Sequence, residues 1–258
     1  MGLRPRLIDS HAHFDDASFN SDRAEALARA EHVGVEAQII PAVKAAWWPR
    51  IRQLSQNYPG LHATYGLHPM YLDDHRPEHL DQLHAWVERE QPVAIGECGL
   101  DFYIDDPQPE TQQFYFERQL ELARQCNLPV IIHARRSVEA VVNTLRRYPG
   151  MTGVLHSYAG SEQQARQLID MGFYVSFGGP ITYERSKRLH KLVQNLPLTS
   201  ILLETDAPDQ PGSAHRGERN EPAYLPEVLE AVSRLRGEGP TEIAEQTSAN
   251  TRRLFHLD

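Results

Sequence analysis

Eight short apolar runs punctuate the chain, each closed by a polar or glycine-containing turn and followed by an amphipathic stretch. They cover residues 6–10, 35–43, 61–66, 92–97, 129–133, 151–156, 173–177 and 200–204. Most are near-continuous in apolar residues rather than alternating, as strands buried on both faces are. The stretches between them carry helical spacing. Asp22 with Glu25 resembles a capping box ahead of Ala24, Leu27 and Ala28. Phe116, Leu120 and Ala123 follow an i, i+4, i+7 rhythm, and Ser161 with Gln164 repeats the capping-box pattern. Leu225, Val228, Leu229, Val232 and Leu235 share one face of the last clear amphipathic helix. Strands separated by helices pair in parallel, because parallel neighbours need long crossovers. An α/β fold of the (β/α)8 TIM-barrel kind, one domain over residues 1–258, accounts for both count and length. An open doubly wound sheet would call for a glycine-rich phosphate loop after the first strand, and the sequence has none there.

The residues that close these apolar runs are chemically repetitive. The first run leads into LIDSHAHF, with His11 and His13 two residues apart, a spacing that on a strand puts both on one face together with Asp9. The fourth, VAIGECGLD, reaches Glu97, the fifth, LPVIIHAR, ends on His133, and the sixth, GVLHSYAG, ends on His156. The eighth, ILLETDAP, ends on Glu204 and Asp206. A single histidine or carboxylate at a strand end is commonly a structural hydrogen-bonder or a cap. Repetition on five strands is different, because the carboxyl ends of barrel strands converge on one rim, where the active sites of this fold sit. Crowded imidazoles and carboxylates are costly to bury unpaired, and a divalent cation satisfies them together.

His11, His13, Glu97, His133, His156 and Asp206 exceed the four ligands of one tetrahedral site. Two cations are expected: one with His11, His13 and Asp206, the other with His133 and His156, and Glu97 bridging them. The imidazoles favour a transition metal such as zinc over an all-oxygen magnesium site, and manganese lies between.

Composition narrows the setting. The 258 residues are 40% hydrophobic and 24% charged, the balance of an ordinary globular chain. A formal net charge of −9 removes the general basic footprint of a non-specific nucleic-acid binder, but it leaves room for a substrate held by metals and a local basic rim. Two cysteines, Cys98 and Cys126, form no CxxC pair and read as buried free thiols. No apolar run approaches the roughly 20 residues of a membrane helix, and MGLRPRLIDS lacks a signal-peptide core. A cytoplasmic location follows as the expectation, and no obligate protein partner is signalled.

The ordered segments DSHAHFD, GLHP, AIGECGLD, FERQLELARQCNLPVIIHAR, GVLHSYAG, FYVSFGG, LLETDAP, RNEP and NTRRLF resemble the TatD family of metal-dependent hydrolases, from about Asp9 to Phe255. The resemblance implies that the six residues above are metal ligands. It also implies phosphodiester hydrolysis, with DNA the usual substrate. Many amidohydrolase relatives bridge their metals with a carboxylated lysine; Glu97 at that position matches this family instead.

Further residues complete the expectation. His68, in GLHP, reads as a substrate-side hydrogen-bond donor or a solvated loop histidine. Arg135 and Arg136 offer bidentate contacts to phosphate, or simply a solvated helix start. Glu204, two before Asp206, supports the ligands; Asp101 does likewise or caps a turn. Gly178 and Gly179 bind phosphate through backbone N–H groups, or only turn the chain. Residues 215–220 read as a mobile polar loop at the pocket, and His32, His75, His79, His84 and His190 as surface residues. The expected nucleophile is a water activated by the cations, with Asp206 as its base. Strand ends or single strands of DNA are the favoured substrate. The alternative is an amidohydrolase attacking a C–N or ester bond. A metal-holding binding protein would not need a base, and a serine hydrolase is excluded by the lack of a GxSxG elbow.

Overall fold

A computed structural model describes residues 5–257; residues 1–4, the head of the basic opening stretch, and residue 258 lie outside it. Each apolar run overlaps a strand: β1 (Leu7–Asp9), β2 (Val35–Pro41), β3 (Leu61–Thr64), β4 (Ile95–Asp101), β5 (Val130–Arg135), β6 (Gly153–Leu155), β7 (Phe173–Phe177) and β8 (Ile201–Leu203). All ladder pairings are parallel, in the orders β1-β2-β3 and β4-β5-β6-β7-β8. A parallel bridge from Tyr65 to Ile95, with the Gly96 N–H donating to the Tyr65 carbonyl at 2.9 Å, spans the β3–β4 seam. At the other seam Ser10 N–H donates to the Leu203 carbonyl at 3.0 Å and Asp206 N–H to the His11 carbonyl at 2.9 Å. The expected (β/α)8 barrel is therefore the observed architecture.

The helices α1 (Arg23–His32), α2 (Trp48–Asn57), α3 (Glu78–Glu90), α4 (Pro109–Cys126), α5 (Val138–Leu145), α6 (Glu162–Asp170), α7 (Lys187–Asn195) and α8 (Leu225–Arg236) each follow one strand. Their apolar faces join the outward strand residues in one continuous core. A second, smaller core joins Ile39, Ala94, Ile131, Val154 and Leu202 to Leu254 and Phe255. Side chains from five different strand segments meet in this way only inside the barrel. Strand alternation then places Ile131 under His133, Val154 under His156, and Leu202 under Glu204, so the polar layer stands one pleat above the apolar one. Leu254 and Phe255 come from α9 (Pro240–Phe255), which apolar periodicity does not announce. Its buried face is rich in Thr247, Ser248, Asn250 and Thr251, satisfied by bonds such as Asn250 Nδ2 to the Ile201 carbonyl at 2.9 Å.

The boundaries differ instructively from the sequence reading. The strand β1 stops at Asp9, so His11 and His13 lie past its end, while β4 and β5 continue beyond Glu97 and His133. The Ser161–Gln164 capping box forms in full. Asp22 begins α1 but makes no side-chain cap; its carboxylate is taken by Arg29 at 3.0 Å and by Arg219 at 2.7 and 2.8 Å. Arg219 thereby ties the 215–220 segment to α1, His215 stacks on Tyr224 with ring centroids 3.5 Å apart, and Asn220 is buried against the Thr205 carbonyl. That segment is pinned rather than mobile. Gly179 is explained by close packing, since a Cβ there would fall 2.2 Å from the Gln210 carbonyl oxygen. Cys98 is buried as expected, whereas Cys126 is only partly covered.

Glycine in β4 sets the approach of β4 to β5. Gly99 has φ +131°, and a Cβ on it would meet the His133 carbonyl oxygen at 2.2 Å. Gly99→Ala is expected to lower the unfolding free energy by about 2–5 kcal/mol through backbone strain and overpacking together. Urea denaturation checks this, and a loss below about 1 kcal/mol would show that the strand pair gives way easily.

Candidate metal centre

Glu97 is the hub. Its carboxylate is buried, and its two oxygens face different sets of donors. Oε2 lies 3.3 Å from His11 Nε2 and 3.4 Å from His13 Nε2. Oε1 lies 2.9 Å from His156 Nε2, 3.2 Å from His133 Nδ1 and 3.0 Å from His68 Nε2. Asp206 completes the first set, with Oδ1 at 3.5 Å from His11 Nε2 and 3.6 Å from His13 Nε2. The six residues read from five strand ends are thus gathered into one cluster at the carboxyl rim.

The local chain explains each position. His11 and His13 sit where the backbone past β1 is stitched to the last strand's exit: His13 N–H donates to the Ala207 carbonyl at 2.7 Å. Asp206 is held at φ 58° and its Oδ2 accepts from the Gln210 amide, leaving Oδ1 turned to the histidines. His133 Nε2 pairs with Asp101 Oδ2 at 2.8 Å, which aims Nδ1 inward. Asp101 also accepts from Tyr103 N–H at 2.8 Å, so it both orients a ring and closes a turn. Glu204 is fully buried, accepts from the Ser157 N–H at 2.7 Å and from the Ser176 hydroxyl, and places Oε1 3.7 Å from His156 Nδ1. Asp9 does not point into the cluster as a two-residue spacing would have it. It accepts from Thr205 N–H and Oγ1 at 3.0 and 2.6 Å, bracing the β8–β1 seam, and burial pushes its carboxyl up to about 7.

His68 stands closer to the cluster than its loop position suggests. Its Nδ1 accepts from Met70 N–H at 3.1 Å, so Nε2 is the protonated nitrogen of a neutral ring, donating toward Glu97. Burial holds its pKa down at about 4, consistent with that neutral form. His75, expected at the surface, is buried instead: Nε2 meets the His68 carbonyl at 2.9 Å and fixes the GLHP loop. A lone histidine seven residues on carries no periodic signal, which is why sequence reading passes over it. Arg135 and Arg136 are exposed and lie 3.8 and 4.3 Å from the ring centroid of Tyr103, a partner the sequence did not single out.

Burial alone would raise the Glu97 carboxyl, yet the imidazoles of His68, His156 and His11 hold it well below the usual carboxylate range. Burial would lower His156, but Glu97 and Glu204 push it well above the ordinary histidine value. His11, fully buried, is pushed down by burial and then by His156. Buried Glu97 Oε2 has no hydrogen-bond partner, and His11 Nε2 and His13 Nε2 approach to 3.3 Å beside it. That geometry suits a cation. Ligands about 2.0–2.1 Å from a tetrahedral zinc stand roughly 3.3–3.4 Å apart, close to the 3.3–3.6 Å seen in the first set. The second set, Glu97 Oε1, His133 Nδ1 and His156 Nε2, has spacings of 2.9–3.3 Å. The donor groupings His11–Glu97–His156, His11–His13–Asp206 and His68–Glu97–His133 are each tight enough to hold an ion.

The cluster floors a cavity of about 1120 Å³. Arg135, Arg136 and Arg188 are on its walls, as are Asp15, Asp16 and Asp209 near the β8–β1 seam.

A profile of the family described as TatD related DNase matches residues 8–256. An uncharacterized metal-dependent hydrolase, YjjV of Escherichia coli K12, is 41% identical over 98% of this chain and 98% of its own. A protein named 3'-5' ssDNA/RNA exonuclease TatD, from Salmonella typhimurium LT2, is 33% identical over 97% of this chain and 99% of its own. The crystal structure of the Escherichia coli YjjV superposes with a TM-score of 0.95 at 40% identity, covering 99% of this chain and 100% of that one.

The Asp101–His133 pair yields a quantitative expectation. Asp101→Ala frees the His133 ring without removing a donor from the cluster, and should weaken metal affinity by about 10–100-fold. Competition with a chromogenic chelator measures it. Unchanged affinity would mean that Asp101 serves only the turn at Tyr103.

Proposed function

The chain belongs to the family of TatD-related DNases, metal-dependent hydrolases, and from that premise we propose that it is a two-metal phosphodiesterase acting on DNA at strand ends or in single strands. His11, His13 and Asp206 would hold one divalent cation and His133 and His156 the other, with Glu97 offering an oxygen to each set. Zinc, manganese and magnesium are the candidates, and the four imidazoles favour zinc or manganese over magnesium. The observation that carries the phosphodiester reading is the wall just beyond His133. There Arg135 and Arg136 stand exposed on the cavity, stacked over Tyr103, with no ion pair among the described residues. Planar guanidiniums so placed are suited to a phosphate's oxygens.

When bound, two such cations supply Lewis acidity for the phosphodiester and acidity for the attacking water. The protein's own groups do the rest. Arg135 and Arg136 orient the phosphate from the β5 side. His68, neutral and donating from Nε2, fixes the charge of Glu97 and keeps the bridge ionised. Asp206 takes the proton of the attacking water. Its side chain is 11% exposed against 1% for Glu97, so of the two carboxylates lining the cavity it is the more open to it. Gln210 keeps that carboxylate from swinging away. The acidic wall of Asp15, Asp16 and Asp209 disfavours phosphates beside β1, which supports a strand that ends at the site over one that runs through it.

Asp206→Asn keeps an oxygen toward the histidines but is no longer basic. Turnover should fall by about 10²–10⁴-fold, while metal content falls far less than for His133→Ala. Parallel measurement of metal stoichiometry and turnover decides it; near-wild-type turnover with full metal would move the role to another group. Chelation should abolish hydrolysis of a single-stranded oligonucleotide, and two equivalents of cation should restore it. Because few phosphates are contacted, binding should depend only weakly on salt. Rapid cleavage of simple amides with no phosphodiester hydrolysis would overturn the assignment.

A further inference from the structure

Two aromatic residues at the mouth of the cavity are left out of the core. Trp47 belongs to the one-turn helix Ala45–Trp47 after β2, and Tyr71 to the segment Pro69–Asp74 after β3, where its φ of −115° breaks the helical course. Both line the cavity together with Met70, which is 49% exposed. Neighbouring aromatics behave differently: Trp48 and Tyr65 are buried in the main core and Trp86 packs against it, whereas Trp47 and Tyr71 join neither core cluster. Leaving two aromatic rings half-buried and a methionine exposed on a cavity that also holds charged groups forgoes burial that adjacent residues achieve.

The rings are held in a fixed arrangement. Trp47 and Tyr71 meet edge to face at 5.9 Å between centroids, and Tyr71 meets His68 at 6.0 Å. His68 in turn reaches Glu97 at 3.0 Å, so the aromatic pair is one side chain removed from the metal centre. Lys44 Nζ lies 4.9 Å from the Trp47 centroid and 5.0 Å from that of Tyr71, and Asp74 anchors the ammonium at 2.7 Å. Arg50 approaches Trp47 at 5.9 Å. Aromatic faces backed by cations are how single-stranded nucleic acids are gripped without reading sequence.

We propose that Trp47 and Tyr71, with Met70 at their edge, form a stacking shelf for an unpaired nucleobase next to the phosphodiester bond that is cut. The inference rests on the phosphodiesterase reading and adds to it the recognition of a base. It explains why a chain of net charge −9 needs no extended basic surface: affinity comes from stacking at the site, and Arg135 and Arg136 supply the local charge. It also assigns the preference for unpaired ends a cause, since a base inside a duplex is stacked on its neighbours and cannot lie on protein rings.

The test uses the metal-loaded protein, a short fluorescein-labelled single strand of DNA, and the same strand with abasic sugars in its terminal residues. Anisotropy gives Kd and product analysis gives KM. For wild type, loss of the bases should raise both by about tenfold or more. In Trp47→Ala and Tyr71→Ala the two strands should bind alike, and Trp47→Phe should recover much of the discrimination. Equal Kd for the two strands on wild type overturns the shelf, as does undiminished discrimination in both alanine variants. Cleavage without base discrimination removes the shelf and leaves the phosphodiesterase. Base-dependent binding without cleavage keeps the shelf and removes the phosphodiesterase. Should Trp47→Ala not fold, Tyr71→Ala and the wild-type comparison still decide.

Discussion

A carboxylate with almost no exposure, surrounded by imidazoles on both sides, is the constraint around which this barrel is arranged. Glu97 would be expensive to bury alone, since an isolated charge in a poorly polarisable interior costs several kcal/mol. Its surroundings offset that cost in two directions, with His11 and His13 facing one oxygen and His68, His133 and His156 the other. Those five rings come from four different strand exits. They converge only if the strands form a cylinder and stop at matching heights. The site therefore depends on the register of the barrel, and the glycines of β4 matter because they let the backbone carrying Glu97 press against β5.

Support for the centre is graded by distance from it. Asp101 and Glu204 fix rings of the second set, while Gln210 fixes the Asp206 carboxylate. Beyond them, Asp9 bonds Thr205 across the β8–β1 seam, and His75 holds the carbonyl of His68. Farther still, the Asp22–Arg219 and Arg29–Glu221 ion pairs fasten the segment after β8 to α1. Each ring of contacts restricts the one inside it, so that groups meant to meet a cation are already within about 0.5 Å of a workable spacing before it arrives.

What the sequence made legible was whatever repeats. Eight apolar runs specify the strands, and five polar residues or pairs at their ends specify the cluster; both signals are periodic and survive errors of a residue or two. Boundaries were less legible. The fourth apolar run closes at Glu97, yet β4 runs on to Asp101 through Gly99, where glycine serves contact with β5. Asp22 has the spacing of a cap, but spacing alone cannot say that Arg219, nearly two hundred residues later, will take its carboxylate. His75 and α9 were hidden for the same reason. Their burial is compensated by polar bonds to backbone rather than by apolar pattern, and such bonds leave no mark on hydrophobic periodicity.

The distribution of charge around the mouth connects this architecture to selectivity. The cavity wall carries Trp47 and Tyr71 after β2 and β3, with Lys44 against their rings, and Arg135, Arg136 and Glu139 after β5, with Tyr103 against the two guanidiniums; near the β8–β1 seam it carries Asp15, Asp16 and Asp209. For the proposed nucleic-acid substrate, the guanidinium side of this wall is the favourable approach. Long-range attraction would not achieve this with a net charge of −9, because the protein as a whole repels any polyanion and beyond about one Debye length that repulsion is screened rather than reversed. Discrimination must then arise at contact, from groups whose positions are set by the loops after β2, β3, β4 and β5. Apart from His68 and the His75 that holds it, those loops touch Glu97 little, so their outer residues can vary while the barrel beneath fixes the centre. The scaffold thus separates two tasks: strand register builds the chemistry, and the rim loops choose what reaches it.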